Sequence, residues 1–250
     1  MSMDAPREFE GRVVLITGGA RNIGRAMAES FAAAGAAVVV NAHTSRQDLQ
    51  ATVAAITAAG GKAIGQIADI TDADAVRQMV KAAVAAFGRL DILINNAVTH
   101  SWKPIQELSF EDWKHTLAVT LDGAFHCIQA CLPEIIRGGG GSIVNMGGAF
   151  GHIASPGRAA TSAAKAGLAG LTRTLALELA EHNINVNYVA PGPANTVRKA
   201  PLQFDMKRIP LGRFAEPSEI TAMVTMLCGP RGRYVTGQTI HVNGGLYMNS

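Results

Sequence analysis

Lys165 is the side chain with the clearest chemical potential in the stretch SIVNMGGAFGHIASPGRAATSAAKAG, residues 142–167. The stretch begins as an apolar segment, opens into a glycine pair and continues as an alanine-rich segment that carries the lysine. A strand end that faces a helix is where ligands bind in open α/β sheets. Between Gly147 and Lys165 the sequence has no Tyr, Cys, Asp or Glu and a single His, His152. We therefore expect an ammonium group in a ligand site without an obvious acid, base or nucleophile beside it.

A glycine-rich turn gives a second candidate site, whose chemistry would be phosphate binding. The sequence TGGARNIGRA occupies residues 17–26, between an apolar and an amphipathic segment. Glycines at a strand-to-helix turn let the backbone approach a pyrophosphate, which then sits on the helix N-terminus. Residues that follow other apolar segments reach the same crevice, where Asp69 could accept a hydrogen bond from an adenine amino group. The predicted dinucleotide-binding residues of these segments are Gly18, Arg21, Asn22, Ile23, Gly24, Asp69, Ile70, Asn95, Ala97, Pro191, Gly192 and Thr196.

Alternating strand and helix patterns position these residues. Short runs rich in Val and Ile predict strands at 13–17, 37–41, 63–68, 92–95, 142–146, 185–189 and 239–242. Amphipathic runs predict helices at 23–34, 46–59, 72–87, 110–136, 157–181 and 217–227. The strands are nearly all apolar, as expected when helices cover both faces of a sheet. The sequence therefore predicts an α/β fold with a parallel, doubly wound sheet.

The composition bounds the class of protein. The chain has 250 residues, 48% hydrophobic and 16% charged, which predicts a single domain over 1–250. The net charge of +3 comes from scattered Lys and Arg, so no nucleic-acid partner is expected. The polar N-terminus and the lack of a long apolar run predict no signal peptide and no membrane span. Three cysteines fit the reducing cytoplasm, and Cys127 and Cys131 are expected to be core residues rather than metal ligands.

Five motifs together resemble the short-chain dehydrogenase/reductase family. They are RVVLITGG, LDILINNA, GSIVN, INVNYVAPGPANT and YVTGQTIHVNGG, in this order along the whole chain. In outline the sequence is similar to the branch that includes 3-oxoacyl carrier-protein reductases and glucose dehydrogenases. The resemblance implies a Rossmann fold with strand order 3-2-1-4-5-6-7, NAD or NADP as cofactor and a small-molecule ligand. It also implies a homotetramer formed through the helices predicted at 110–136 and 157–181, where Gly167, Ala169 and Gly170 would permit close helix approach.

The residues after the second predicted strand favour NADP(H) over NAD(H). An acidic residue there would bind the ribose 2′-hydroxyl of NAD and repel a 2′-phosphate. Residues 41–47 read NAHTSRQ, and the next residue, Asp48, is the first acid. Arg21, His43 and Arg46 could face a phosphate, which a guanidinium group binds with a matching fork. NADP(H) is therefore the expected cofactor.

The resemblance also implies a catalytic set that this chain has mostly lost. The family uses a Tyr-x-x-x-Lys pair, a Ser at the end of the fifth strand and an Asn on the preceding helix. The matching positions here are Thr120 for Asn, Gly148 for Ser, Thr161 for Tyr and the retained Lys165. An aliphatic hydroxyl is too weak an acid to replace tyrosine, and losing a positioned general acid lowers the rate by about 10²–10⁴. Lys165 is therefore expected to hold the nicotinamide ribose.

Two smaller departures lie on the cofactor side. Asn22 replaces the middle glycine of the family's TGxxxGxG, and Asn tolerates unusual backbone angles better than most residues. Val98 replaces the last glycine of NNAG and is expected to narrow the space near the nicotinamide.

Other residues could supply the missing proton. His100 follows the fourth predicted strand and His152 the fifth, both on the side where family substrates bind, and a His titrates near neutrality. Tyr188 lies within a predicted strand and is expected to be core. His115 and His241 lie further from the predicted crevice, and no role is assigned to them. The irregular stretch at 196–215 is predicted to be a substrate lid, whose Lys199, Lys207 and Arg208 favour an anionic ligand.

Three functions are left open. The first is an NADP(H)-dependent oxidoreductase with an altered proton route, atypical or weak in carbonyl and alcohol chemistry. The second is a cofactor-binding protein without turnover, acting as a sensor or as the partner subunit of an active paralogue. The third is a non-redox lyase using the same pocket, which normally keeps Ser and Tyr and loses the nucleotide site, the reverse of the pattern here.

Overall fold

A seven-stranded parallel sheet runs through the chain, whose computed structural model describes residues 7–99, 101–197 and 204–248. Its strands are Val13–Ile16 (β1), Ala37–Ala42 (β2), Lys62–Ile67 (β3), Ile92–Asn95 (β4), Gly141–Met146 (β5), Ile184–Pro191 (β6) and Thr239–Val242 (β7). They lie in the order β3-β2-β1-β4-β5-β6-β7, and every neighbouring pair is parallel. At the centre, Val14 stands opposite Val38 on one side and Ile92 on the other. The predicted fold class and strand order are confirmed.

Helices cover both faces of this sheet. They span Asn22–Ala33 (α1), Arg46–Ala58 (α2), Ala73–Phe87 (α3), Phe110–Leu117 (α4), Gly123–Arg137 (α5), Ala159–Glu178 (α6) and Pro217–Cys228 (α7). Local chemistry sets several of their ends. The Asp72 carboxylate caps α3 by accepting two backbone N–H groups of its first turn, and Pro217 begins α7 behind a capping box.

Successive strand residues point into two separate cores. Val14 and Ile16 belong to the apolar cluster that α1 and α7 complete, whereas Val13 and Leu15 belong to the cluster that α3 and α5 complete. Because both faces of the central strands β1 and β4 are buried, these strands have no polar side to alternate with the apolar one. Within the described ranges no helix is long and apolar enough to cross a membrane, and no three His, Cys, Asp or Glu side chains gather as metal ligands.

The helix predicted at 110–136 is interrupted. A π-helical turn, Ala118–Asp122, separates α4 from α5, and the Gly123 N–H donates to the Ala118 carbonyl five residues earlier. The helix predicted at 157–181 ends at Glu178, before a 3₁₀ turn at Ala180–His182. A π turn shifts the apolar stripe by one residue only, so the periodicity of the sequence does not disclose it.

Candidate active site

A crevice of about 860 Å³ opens along the carboxyl ends of the central strands. Its walls come from the turns after β1 to β6, around the point where the strand order passes from β1 to β4. Ligands of open parallel sheets bind at this switch point. The predicted site residues that line the crevice are Gly18, Arg21, Asn22, Ile23, Gly24, His43, Asp69, Ile70, Ala97, Gly148, Lys165, Pro191, Gly192 and Thr196.

The turn between β1 and α1 is built to hold an anion. No side chain caps α1, so its first backbone N–H groups stay available to a ligand. A Cβ atom on Gly24 would collide with the Gly18 carbonyl oxygen. Glycine at this position therefore lets the helix lie closer to the turn than any other residue would. Asn96 fixes the turn by donating from Nδ2 to the Thr17 and Gly18 carbonyl oxygens, at 2.9 and 3.0 Å. These features fit the pyrophosphate of a dinucleotide.

Asn22 has the left-handed backbone of the glycine it replaces, with φ at 52°. Its side chain also exchanges two hydrogen bonds with the backbone of Val197. The Val197 N–H donates to Oδ1 at 2.9 Å, and Nδ2 donates to the Val197 carbonyl oxygen at 3.2 Å. The turn after β1 is thereby joined to the segment after β6, a link that glycine could not form.

The turns after β2 and β3 bring charged side chains to the crevice. Asp69 accepts hydrogen bonds from the Thr71 N–H and hydroxyl at 2.9 and 2.8 Å, and His43 Nε2 lies 3.4 Å from its Oδ2. Burial acts to raise the pKa of Asp69, but these hydrogen bonds and the histidine charge bring the pKa below its usual value. The Nε atom of Arg21 lies 3.5 Å from Asp48 Oδ2. The third predicted cation, Arg46, is exposed and does not line the crevice.

Three other predicted residues lie behind the crevice wall. Asn95 is buried within the sheet, where its Nδ2 donates to Asn145 Oδ1 at 2.8 Å and so links β4 to β5. Thr120, in the π turn, and Thr161, in α6, are buried, and their hydroxyl groups have no partner among the described residues. None of the three lines the crevice, because strand alternation turns Asn95 inward and the threonine side chains are short.

His152 also lies away from the crevice lining, in a cluster of aromatic rings. Its ring centroid is 4.8 Å from that of His241 and 5.6 Å from those of Tyr188 and Tyr247. Burial and the charge of Arg173 lower the pKa of His152. The structure thus places His152 behind the wall rather than at the reacting position predicted for it. Of the predicted proton donors and lid, His100 and residues 198–203 lie outside the described residues.

Lys165 is only 5% exposed and yet lines the crevice. A Cβ atom on Gly148 would lie 2.6 Å from Lys165 Nζ, and the Gly148 backbone, with φ at 153°, is one that residues with side chains rarely adopt. The ammonium group therefore occupies the space where a serine side chain would begin. Burial and the neighbouring Arg158 lower the pKa of Lys165 to about 8.

Among the lining residues that the sequence did not identify as part of the site are Trp102, His115, Phe150 and Arg158. Arg158 is 7% exposed, and its Cζ lies 4.3 Å from the Trp102 ring centroid and 4.1 Å from that of Phe150. Its position before a helix N-terminus, where a positive charge is unfavourable, was a usable signal. The sequence predicts His115 to lie further from the crevice, and that prediction is wrong, since His115 lines it.

The chain is similar to known reductases and dehydrogenases along nearly its whole length. Residues 18–247 match a family model described as enoyl-(acyl carrier protein) reductase. A 3-oxoacyl-(acyl-carrier-protein) reductase of Staphylococcus aureus is 38% identical over 239 residues, which cover 94% of this chain and 97% of that protein. A putative short-chain alcohol dehydrogenase from Sinorhizobium meliloti is 35% identical with a TM-score of 0.92, over 97% and 98% of the two chains. A short chain dehydrogenase from Burkholderia cenocepacia, solved in complex with NADP, is 33% identical with a TM-score of 0.90, over 96% and 99%.

Proposed function

The chain belongs to the short-chain dehydrogenase/reductase family, and on that premise we propose that it is an NADP(H)-dependent carbonyl reductase in which Lys165 supplies the proton. The position of Lys165 Nζ carries this proposal, because the amine fills the place of the missing serine side chain and faces the crevice. The relatives named as 3-oxoacyl reductases support carbonyl reduction as the reaction class.

Residues on both walls would hold the cofactor. The free N–H groups at the start of α1 would bind the pyrophosphate, Asp69 the adenine amino group and Lys165 the nicotinamide ribose. When bound, NADPH supplies the hydride. Val98, which lines the crevice and is 38% exposed, would limit the space beside the nicotinamide.

The turn after β2 supports NADP(H) over NAD(H). His43, Thr44 and Ser45 line the crevice there without a carboxylate that would repel a 2′-phosphate. Arg21 lines the same end of the crevice, and its Nε lies 3.5 Å from Asp48 Oδ2. Its two terminal nitrogen atoms would bind the phosphate oxygens. The relative solved with NADP is consistent with this choice.

Lys165 would move the proton without help from the lost residues. Its Nζ–H donates to the substrate oxygen as negative charge develops there, and the neutral amine then recovers a proton from solvent through the crevice. The oxygen lacks the serine donor as well, and removing one such donor lowers the rate by about 10²–10³. We therefore expect slow turnover compared with relatives that keep all four residues.

A second candidate is a cofactor-binding subunit without turnover, either as a sensor or paired with an active paralogue. The buried hydroxyl groups of Thr120 and Thr161 favour it, because neither reaches the crevice or replaces a group of the relay. In this case Lys165 holds the cofactor and transfers no proton.

The test combines NADPH binding with turnover. The purified protein is titrated with NADPH and NADH by nucleotide fluorescence, and NADPH oxidation is followed with a panel of ketones and aldehydes. We expect tighter binding of NADPH, slow oxidation, and a loss of turnover of about 10² or more in Lys165→Met. Lys81→Met, an exposed position on α3, is the matched control. NADPH binding without oxidation of any carbonyl would favour the second candidate, and no binding of either nucleotide would overturn both.

A further inference from the structure

Arg158 is a cation that is buried against aromatic rings. Its side chain is 7% exposed and lines the crevice, and its Nε is shielded from solvent without a hydrogen-bond acceptor. Within the described ranges no carboxylate pairs with its guanidinium group. Burial lowers the pKa of Arg158. Such a charge is unfavourable in a protein interior unless something pairs with it.

The local structure holds this guanidinium in place instead of neutralising it. Its Cζ lies over the rings of Trp102 and Phe150, at 4.3 and 4.1 Å from their centroids. Gly157 creates the seat for Trp102, because a Cβ atom there would lie 2.6 Å from the Trp102 Cδ1. The Lys103 N–H donates to the Gly157 carbonyl oxygen at 2.9 Å and joins the two loops. The aromatic rings satisfy the charge in part but accept none of its in-plane N–H donors.

The surrounding crevice has an excess of positive charge. Arg21, Arg158 and Lys165 line it, whereas Asp69 is the one acidic side chain among its described lining residues. Asp69 is already engaged by Thr71 and His43. Arg158 and Lys165 repel each other, since the arginine charge contributes to the lowered pKa of the lysine. An anion bound between them would relieve this repulsion.

We propose that Arg158 recognises a carboxylate group of the substrate, so that the substrate class is an oxo acid or its hydroxy acid. The proposal rests on the proposed function, because Lys165 would act at the carbonyl oxygen while Arg158 holds the carboxylate. Guanidinium and carboxylate groups are both planar and form two parallel hydrogen bonds, which suits a fork whose faces are covered by aromatic rings. A tetrahedral phosphate would need further donors, and no other described cation lines this part of the crevice besides Lys165.

The test measures binding rather than turnover. Levulinate, which carries a ketone and a carboxylate, is titrated by calorimetry into the protein saturated with NADP⁺ and into the cofactor-free protein. Methyl levulinate serves as the uncharged control ligand and inorganic phosphate as the competing anion. Arg158→Met removes the charge at similar length, and Arg158→Lys keeps the charge without the fork. Circular dichroism verifies that both variants fold.

We expect Arg158→Met to weaken levulinate binding by about 30-fold or more, with a smaller loss in Arg158→Lys and unchanged NADP⁺ affinity. Methyl levulinate should bind wild type and variants equally weakly. Three outcomes would overturn the assignment. Arg158→Met could bind levulinate as tightly as wild type does, or wild type could bind phosphate through Arg158 more tightly than levulinate. Wild type could also fail to bind levulinate and oxo acids of longer or shorter chain. A loss of NADP⁺ binding in Arg158→Met would assign Arg158 to the cofactor instead. Wild type that binds levulinate but neither nucleotide would overturn the proposed function and leave the carboxylate site standing.

Discussion

The environment of a single amine decides whether Lys165 can act as an acid. An exposed lysine has a pKa of about 10.4 and gives up a proton poorly at neutral pH. Burial and the charge of Arg158 bring the pKa of Lys165 to about 8. A general acid works best when its pKa lies near the operating pH. The Lys165 ammonium group is therefore a stronger acid here than an unperturbed tyrosine, whose pKa is about 10.

The rates of carbonyl reduction and of alcohol oxidation should change in opposite directions as the pH passes through the pKa of Lys165. Reduction needs the ammonium form, so its rate should fall as the pH rises above about 8, whereas alcohol oxidation needs the neutral amine and should rise over the same range. Initial rates of NADPH oxidation and NADP⁺ reduction between about pH 6 and 10 measure both profiles. If the reduction rate of both the wild-type and the Lys165→Arg protein does not fall up to about pH 9 and beyond, Lys165 is not the proton donor.

The same shift has a consequence for folding. The pKa of Lys165 is lower in the folded chain than its ordinary value of 10.5, so the unfolded chain binds more protons between about pH 8 and 10.5. The free energy of unfolding therefore contains a contribution that rises with pH across this window and is lost as the pH falls through it.

The role of a single residue could be predicted where a sequence motif determines it. It could not be predicted where packing against distant residues determines it. Lys165 and the glycine-rich turn were identified because their neighbours in the sequence match a family pattern. Arg158 was missed because its importance comes from Trp102, which is 56 positions earlier in the chain. The position of Asn95 at a strand end predicts a contact with the cofactor. Its side chain instead points to the buried side of the strand, where it donates a hydrogen bond to Asn145.

At the scale of elements, the link between Asn22 and Val197 joins two walls that the fold alone leaves independent. Asn22→Gly removes both hydrogen bonds and keeps a residue suited to φ 52°. We expect little change in thermal stability, because release of the left-handed strain offsets the two exposed hydrogen bonds, each worth about 0.5–1.5 kcal/mol. NADPH dissociation, measured by stopped-flow fluorescence, should become several-fold faster.

Asn183 provides the matched control for this substitution. Among the described residues it is the second asparagine with positive φ, at 57°, and it lies in the turn before β6 rather than in the crevice. Asn183→Gly should therefore leave the NADPH dissociation rate unchanged. Equal rates in Asn22→Gly and wild type would mean that the link has no part in retaining the cofactor.

For the whole molecule, apolar periodicity and turn chemistry predicted the sheet but not the surfaces that assemble. Core patterns report burial within one chain, so they place the strands and their covering helices. They do not report which outer face meets a second copy. Of the glycines and alanine predicted to allow close helix approach, Gly167 packs against Leu121 of its own chain and Ala169 is buried. A Cβ atom on Gly170 would have one neighbour within 4 Å, the Arg173 Nη2 atom at 4.0 Å, so this position has more room for a side chain than Gly167 has.

The homotetramer stays a prediction, and the outer face of α6 is where it can be tested. Small residues such as Ala166 and Gly170 are accessible there, and Leu177 on the same helix is 83% exposed, a large fraction for a leucine. Gly170→Arg would place a long charged side chain where two helices must approach closely. We expect a shift from tetramers to dimers or monomers, measured by size-exclusion chromatography with light scattering.

The substitution separates assembly from folding because arginine favours a helix interior over glycine by about 1 kcal/mol. If the Gly170→Arg protein forms a smaller species and that species unfolds at the wild-type temperature or above it, the substitution has removed an interface without damaging the helix. Ala54→Arg, at an exposed position on α2, adds the same charge elsewhere and should leave the tetramer intact. Wild-type protein that is monomeric, or Gly170→Arg protein that elutes as wild type does, would remove α6 from the interface. Because the residues proposed to bind the cofactor all belong to one chain, we expect loss of the tetramer to leave the NADPH affinity unaltered. A parallel fall in that affinity would mean that a neighbouring copy supports the site.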